Sequence, residues 1–206
     1  MSKSPFLIKQ EFVSPKLCEF IVDSLQFVDP DESKEGKPVK TVKRDEATQM
    51  LIFDRLQEIV PEIEEHYNIK YKGTEEMDFE WYPQDSINGE SICENSNYLR
   101  KKWVKTKDRD ISGILFLSEY QDKVPFDSEY EVYGGKLQFP QHDFGFHANR
   151  GTLILFPSGP HFINAVNSIY AGDLFQVRIQ IAAKNSMIYQ PVDFPGDYTT
   201  WFEEIA

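Results

Sequence analysis

Apolar positions along this chain recur with two different periods, and the change falls near Gly73. Before it the period is helical. Ser14-Pro15 supplies a cap and a first-turn proline, and Leu17, Phe20, Ile21 and Leu25 follow on one face, predicting a helix through about Leu25. Ile52, Leu56, Ile59, Val60 and Ile63 form a second stripe at helical spacing, where Pro61 either kinks the helix or begins a new turn. Residues 6–12 read as a short strand, and residues 29–45, dense in Lys, Glu, Asp, Gly and Pro, as an exposed, mobile loop.

After Gly73 the period shortens to that of strands. Candidates are residues 77–82, 91–94, 111–117, 136–140, 151–156, 161–166 and 174–182, separated by Gly, Pro, Asn and Asp at the spacing of an all-β sandwich. Helices followed by a run of strands predict an α+β chain dominated by a jelly roll. No repeat or linker divides it. The expectation is one domain over residues 1–206: a helical support to residue 73, a jelly-roll core over 74–183, and a tail over 184–206 with a short helix around Trp201.

Composition sharpens this picture. Sixteen Phe, ten Tyr and three Trp suit pleated, half-buried surfaces. A net charge of −12 argues against nucleic acid or an anionic membrane as a general partner, because phosphates would be repelled. Arg100, Lys101, Lys102, Lys105 and Lys107 form a local basic cluster, read either as a contact point or as a solvated surface segment. The two cysteines, Cys18 and Cys93, show no metal-binding spacing. With no apolar leader or membrane-length run, the chain is expected in the cytoplasm with reduced thiols.

Chemistry concentrates in GTLILFPSGPHFINAV, residues 151–166: a buried strand, a Pro-Ser-Gly-Pro turn, then His161 opening the next strand. YGGKLQF precedes it and GDLFQVRIQI follows. On the last segment Leu174, Gln176, Arg178 and Gln180 share one face by alternation, a polar row that suits the lining of a polar cavity. In this order the segments resemble the prolyl 4-hydroxylase-like branch of the 2-oxoglutarate and Fe(II)-dependent dioxygenases. FLIKQEFVSPKLCEFIVDSL resembles the strand and helix with which those proteins begin. The resemblance implies a double-stranded β-helix (jelly roll, cupin-like) with two or three flanking N-terminal helices.

It also implies a site. Two histidines and a carboxylate would leave open positions on Fe(II) for 2-oxoglutarate and dioxygen. His161 falls at the distal histidine and Glu94 at the carboxylate. Arg178 offers a planar fork for the co-substrate carboxylate, though later on its strand than the family's basic residue, and Tyr82 matches a co-substrate tyrosine. Ile92 stands where the first histidine belongs, and isoleucine cannot ligate a metal. Three outcomes stay open: His142 or His147 supplies the ligand, Glu94 and His161 hold iron with water, or the site is inactive. Alternatively, Arg178 pairs with a buried carboxylate such as Asp173 or Asp110 and serves only folding.

Two functions follow. One is a dioxygenase (hydroxylase) of a protein side chain or small molecule, using Fe(II) and 2-oxoglutarate. The other is an inactive descendant acting as a binding or assembly module. DRDISGILFLSEY, EVYGGKLQFPQHDFGF and RGTLILFPSGPHFIN are similar to the dioxygenase-type proteins of tailed bacteriophages of marine bacteria, which implies virion proteins as partners and a virion-associated place. A sugar-binding jelly roll would need Trp81, Trp103 and Tyr133 exposed on one sheet face.

Overall fold

The computed structural model describes residues 4–27, 39–43, 46–86, 91–100, 102–124, 129–147 and 149–184. The predicted tail helix around Trp201 lies outside them, as does most of the loop expected over residues 29–45.

The N-terminal part is β1 (Leu7–Lys9), α1 (Pro15–Ser24), β2 (Gln26–Phe27), β3 (Val39–Lys43), α2 (Glu46–Tyr67) and β4 (Tyr71–Thr74). The body follows with β5 (Asp78–Tyr82), β6 (Ser96–Leu99), β7 (Lys102–Lys105), β8 (Ile111–Phe116) and β9 (Glu119–Tyr120). It continues through β10 (Glu131–Gly134), β11 (Leu137–Phe139), β12 (Phe144–Phe146) and β13 (Leu153–Pro157). The last strands are β14 (Ala165–Val166), β15 (Ile169–Gly172) and β16 (Leu174–Ala183).

Helix α1 begins as its sequence dictates. The Ser14 hydroxyl accepts from the Leu17 N–H, and Pro15 fills the first turn, where its missing donor costs nothing. Phe20 departs from the predicted face: it is 55% exposed, and Cys18 takes the inward place beside Ile21. Helix α2 runs unbroken through Pro61, burying Ile52, Leu56 and Ile63. The predicted loop contains a strand, because β3 pairs antiparallel with both β2 and β5.

The main sheet has the order β1-β13-β8-β16-β5-β3-β2, with β4 beside the far end of β16. A second sheet has the order β12-β11-β14, and an Ile92–Asn164 bridge extends it towards residues 91–94. The strand expected over residues 91–94 is reduced to that bridge; regular pairing starts at Ser96, in the β6–β7 hairpin. Among the described residues all strand pairings are antiparallel except β9 with β10. The described residues form a mostly antiparallel, jelly-roll-like fold with two α-helices.

Period-two alternation sorts the main sheet into two cores. Ile111, Leu115, Leu153, Leu155, Val177, Ile179 and Ile181 face α1 and α2, packing with Cys18, Ile21, Ile52, Leu56 and Ile63. Their neighbours Ile114, Phe116, Ile154, Phe156 and Leu174 point the other way, onto Leu137, Phe139, Phe162 and Val166 of the second sheet. That second core is the jelly-roll interior. The Gly-Gly of the quoted motif has a backbone reason: Gly134 sits at φ 98°, and a Cβ there would come within 2.3 Å of the Ser168 carbonyl oxygen.

Candidate functional site: a buried Arg–Glu network

Strand β16 carries the polar row into the jelly-roll interior. Gln176, Arg178 and Gln180 are all buried, and partners come from the neighbouring strand β5 and from the non-strand segment that carries Glu94. Glu80 on β5 accepts from Arg178 at both oxygens, from Nε at 3.1 Å and from Nη2 at 3.3 Å. Its Oε2 also accepts from Gln176 Nε2 at 2.7 Å. Arg178 Nη1 donates to Glu94 Oε1. Glu94 Oε2 accepts from Gln180 Nε2 at 2.9 Å, and Asn164 Nδ2 donates to Oε1 at 3.4 Å. The network continues outward: Ser112 Oγ donates to Gln180 Oε1 at 2.7 Å and shares a 2.6 Å hydrogen bond with the Ser158 hydroxyl.

Glu80 and Glu94 are each 2% exposed and Arg178 is 4% exposed. Burial alone would disfavour the guanidinium charge, but Glu80 and Glu94 outweigh it and hold Arg178 well above its ordinary pKa. Arg178 is therefore a permanent cation between two carboxylates. Tyr82, two residues after Glu80 on the same face of β5, is buried beside them. Burial first and the Glu80 charge second push its phenol upward, against the opposing pull of Arg178.

The structure thus brings Tyr82, Glu94 and Arg178 of the predicted site into one region. It gives Arg178 different partners from those the sequence suggested. Asp110 instead accepts from Lys105 Nζ at 3.0 Å and from the Ala183 N–H at 2.9 Å. Asp173 accepts from the Gln84 N–H at 2.8 Å.

His161 is not at the start of a strand. Gly159 and Pro160 precede it, and the fixed φ of Pro160 opens a single 3-10 turn, Pro160–Phe162, so pairing resumes at the Asn164 bridge and β14. The His161 carbonyl accepts from His142 Nε2 at 2.8 Å, and the His142 ring stacks on Phe162 with centroids 4.5 Å apart. His147 stacks on Tyr120 with centroids 3.7 Å apart. Burial lowers the pKa of all three histidines, which favours their neutral forms.

The residues do not fit an Fe(II) centre of the implied kind. Ile92 offers no donor atom, both Glu94 oxygens already accept hydrogen bonds from Arg178, Asn164 and Gln180, and His142 Nε2 is committed to a backbone carbonyl. Among the described residues no three His, Cys, Asp or Glu side chains assemble into a group that could hold a metal ion. The guanidinium that would receive a co-substrate carboxylate already holds two protein carboxylates.

Sequence reasoning missed Glu80, Ser112, Ser158 and Asn164. Glu80 had a signal: alternation from Tyr82 places it on the same inward face, opposite Gln176 in register. The three aromatics considered for sugar binding lie on β5, β7 and β10, in three separate sheets, and share no face.

The fold matches solved prolyl hydroxylases. A viral collagen prolyl hydroxylase from Paramecium bursaria Chlorella virus-1, in complex with 2-oxoglutarate, superposes with a TM-score of 0.64 at 13% identity, covering 88% of this chain and 97% of that one. A Pseudomonas putida prolyl-4-hydroxylase gives 0.58 at 14% identity, covering 88% and 94%. A Trichoplax adhaerens prolyl hydroxylase bound to a hypoxia inducible factor peptide gives 0.59 at 14% identity, covering 86% and 83%. No protein-family profile and no curated relative matches the sequence. At these identities the likeness establishes the fold. No helix among the described residues is long and apolar enough to cross a membrane.

Proposed function

We propose that this chain is a double-stranded β-helix protein of prolyl hydroxylase type in which the iron and 2-oxoglutarate centre has been replaced by a structural ion network, leaving a non-catalytic binding or assembly module. One observation carries the reading: the guanidinium fork of Arg178 is filled by Glu80 and Glu94, and Glu94 accepts from Arg178 and Asn164 at Oε1 and from Gln180 at Oε2. A carboxylate that must ligate a metal needs a free lone pair aimed at it, and a co-substrate arginine needs an open fork. Here the two groups satisfy each other.

The fold neighbours favour a second reading, a 2-oxoglutarate and Fe(II)-dependent hydroxylase acting on a protein or small molecule. That reading requires Arg178 to release Glu94, and His161 and Glu94 to hold iron with only water in place of the first histidine. A virion-associated place in a phage particle belongs with the binding reading and rests on sequence resemblance alone.

Titration of anaerobic protein with Fe(II) and 2-oxoglutarate, followed by calorimetry and by the visible metal-to-ligand charge-transfer band, separates the two. The binding reading predicts no saturable uptake of either ligand at millimolar concentration. Uptake that is lost in both His161→Ala and Arg178→Ala would establish the hydroxylase instead.

A further inference from the structure

We propose that the β6–β7 hairpin is a docking arm for an acidic, extended peptide segment of a partner protein. This names a partner for the binding role above and rests on that reading. The first observation is charge segregation. Residues 95–107 contain no Asp or Glu, yet Arg100, Lys101, Lys102, Lys105 and Lys107 all fall there; a chain of net −12 with +5 in this segment carries −17 elsewhere. A patch of one sign on a body of the other steers a complementary ligand to one place.

The second observation is geometry. The hairpin is a two-stranded sheet that pairs with no third strand among the described residues. Its register places Tyr98 opposite Trp103 and Ser96 opposite Lys105 on one face. That face is turned to the body: Ser96 is buried, Lys105 pairs with Asp110, and Tyr98 and Trp103 pack together with ring centroids 5.3 Å apart. Alternation leaves Asn97, Leu99 and Val104 on the other face, and Leu99 and Val104 are 49% and 43% exposed. An apolar strip flanked by Arg100 and Lys107 suits a segment that alternates apolar and acidic side chains. Single-stranded nucleic acid fits less well, since the half-buried Tyr98 and Trp103 rings pack on each other rather than standing open as base platforms, and the strongly negative body repels phosphates.

The third observation is the hairpin tip. Leu99 pairs with Lys102 near the end of the hairpin, and Arg100, which follows Leu99, sits in the left-handed region at φ 50°. Gly or Asn would take that position at lower cost. A basic side chain is held there against the backbone's preference, as at positions kept for contact rather than for stability.

The test measures fluorescence anisotropy of a fluorescein-labelled peptide alternating glutamate and leucine, titrated with the full chain and with two variants. Arg100→Gly relieves the turn and keeps the hairpin; Arg100→Glu with Lys107→Glu reverses the exposed charge. The proposal predicts saturable binding by the native chain, weakened about tenfold in the reversed variant and measurably in Arg100→Gly while its thermal midpoint holds or rises. No binding, or binding indifferent to charge reversal, overturns it. So does tighter binding of single-stranded oligothymidylate, or of a synthetic peptide of residues 185–206, which would make the occupant the chain itself. The Fe(II) and 2-oxoglutarate titration on the same samples keeps the two readings apart: iron uptake sinks the non-catalytic reading, whereas peptide failure without iron uptake sinks only the docking arm.

Discussion

The two sides of the jelly-roll interior are built on opposite terms. Towards β13 and the second sheet it is an aromatic core, in which Phe139 meets Phe156 edge-on at 4.7 Å and Phe6 stacks on Phe144 at 4.4 Å. Towards β16 and β5 it is a buried polar network of Arg178, Glu80, Glu94, Gln176 and Gln180. The aromatic side is non-directional, and each contact is weak and replaceable. The polar side depends on each partner being present, because a buried charge that loses its partner costs far more than the pair contributes. The polar side should therefore tolerate single changes less well than the aromatic side.

That contrast can be broken most sharply at Arg178. Arg178→Met leaves Glu80 and Glu94 buried without their cation and should cost about 3–5 kcal/mol of stability, read from urea unfolding midpoints. Adding Glu80→Gln and Glu94→Gln removes the stranded charges and should recover most of that loss. If the triple variant is no more stable than Arg178→Met alone, the network is not the unit described here. On the aromatic side Ile154→Val should cost only about 0.5–1.5 kcal/mol, with no second change able to rescue it.

Acid gives a smaller effect. Burial holds His142, His147 and His161 below the ordinary value of 6.5. Between the folded and unfolded values the unfolded chain binds more protons, so their contribution is fully present above 6.5 and is lost as pH falls through the folded values. Unfolding midpoints on either side of 6.5 should show this loss, and His142→Gln, which keeps a donor for the His161 carbonyl, should reduce it. A pH-independent midpoint across that window would contradict the assignment.

Much of the fold was legible in the sequence because burial imposes a period. The stripe of α2, the cap of α1 and strands β5, β8, β11, β13 and β16 all follow from spacing and punctuation. Strands β3 and β9 lie in charged or very short stretches, where the partner strand and not local propensity decides the structure. The candidate site was half legible. Parity placed Gln176, Arg178 and Gln180 on one inward face, and resemblance singled out Glu94 and Tyr82. The pairing of Arg178 with Glu80 and Glu94 was not legible, because it depends on three segments meeting in space across sequence separations of 98 and 84 residues. The Pro-Ser-Gly-Pro motif predicts a turn that ends at Pro160 and a strand opening at His161, whereas the turn runs two residues further, to Phe162.

The most direct test of the central claim is a crystal structure grown with Mn(II), as a redox-silent stand-in for Fe(II), together with 2-oxoglutarate, with anomalous scattering used to locate the metal. The account predicts no anomalous peak beside Glu94 and an Arg178 guanidinium still bonded to Glu80 and Glu94. A peak within ligation distance of Glu94 and His161, with Arg178 swung onto a 2-oxoglutarate carboxylate, would contradict it.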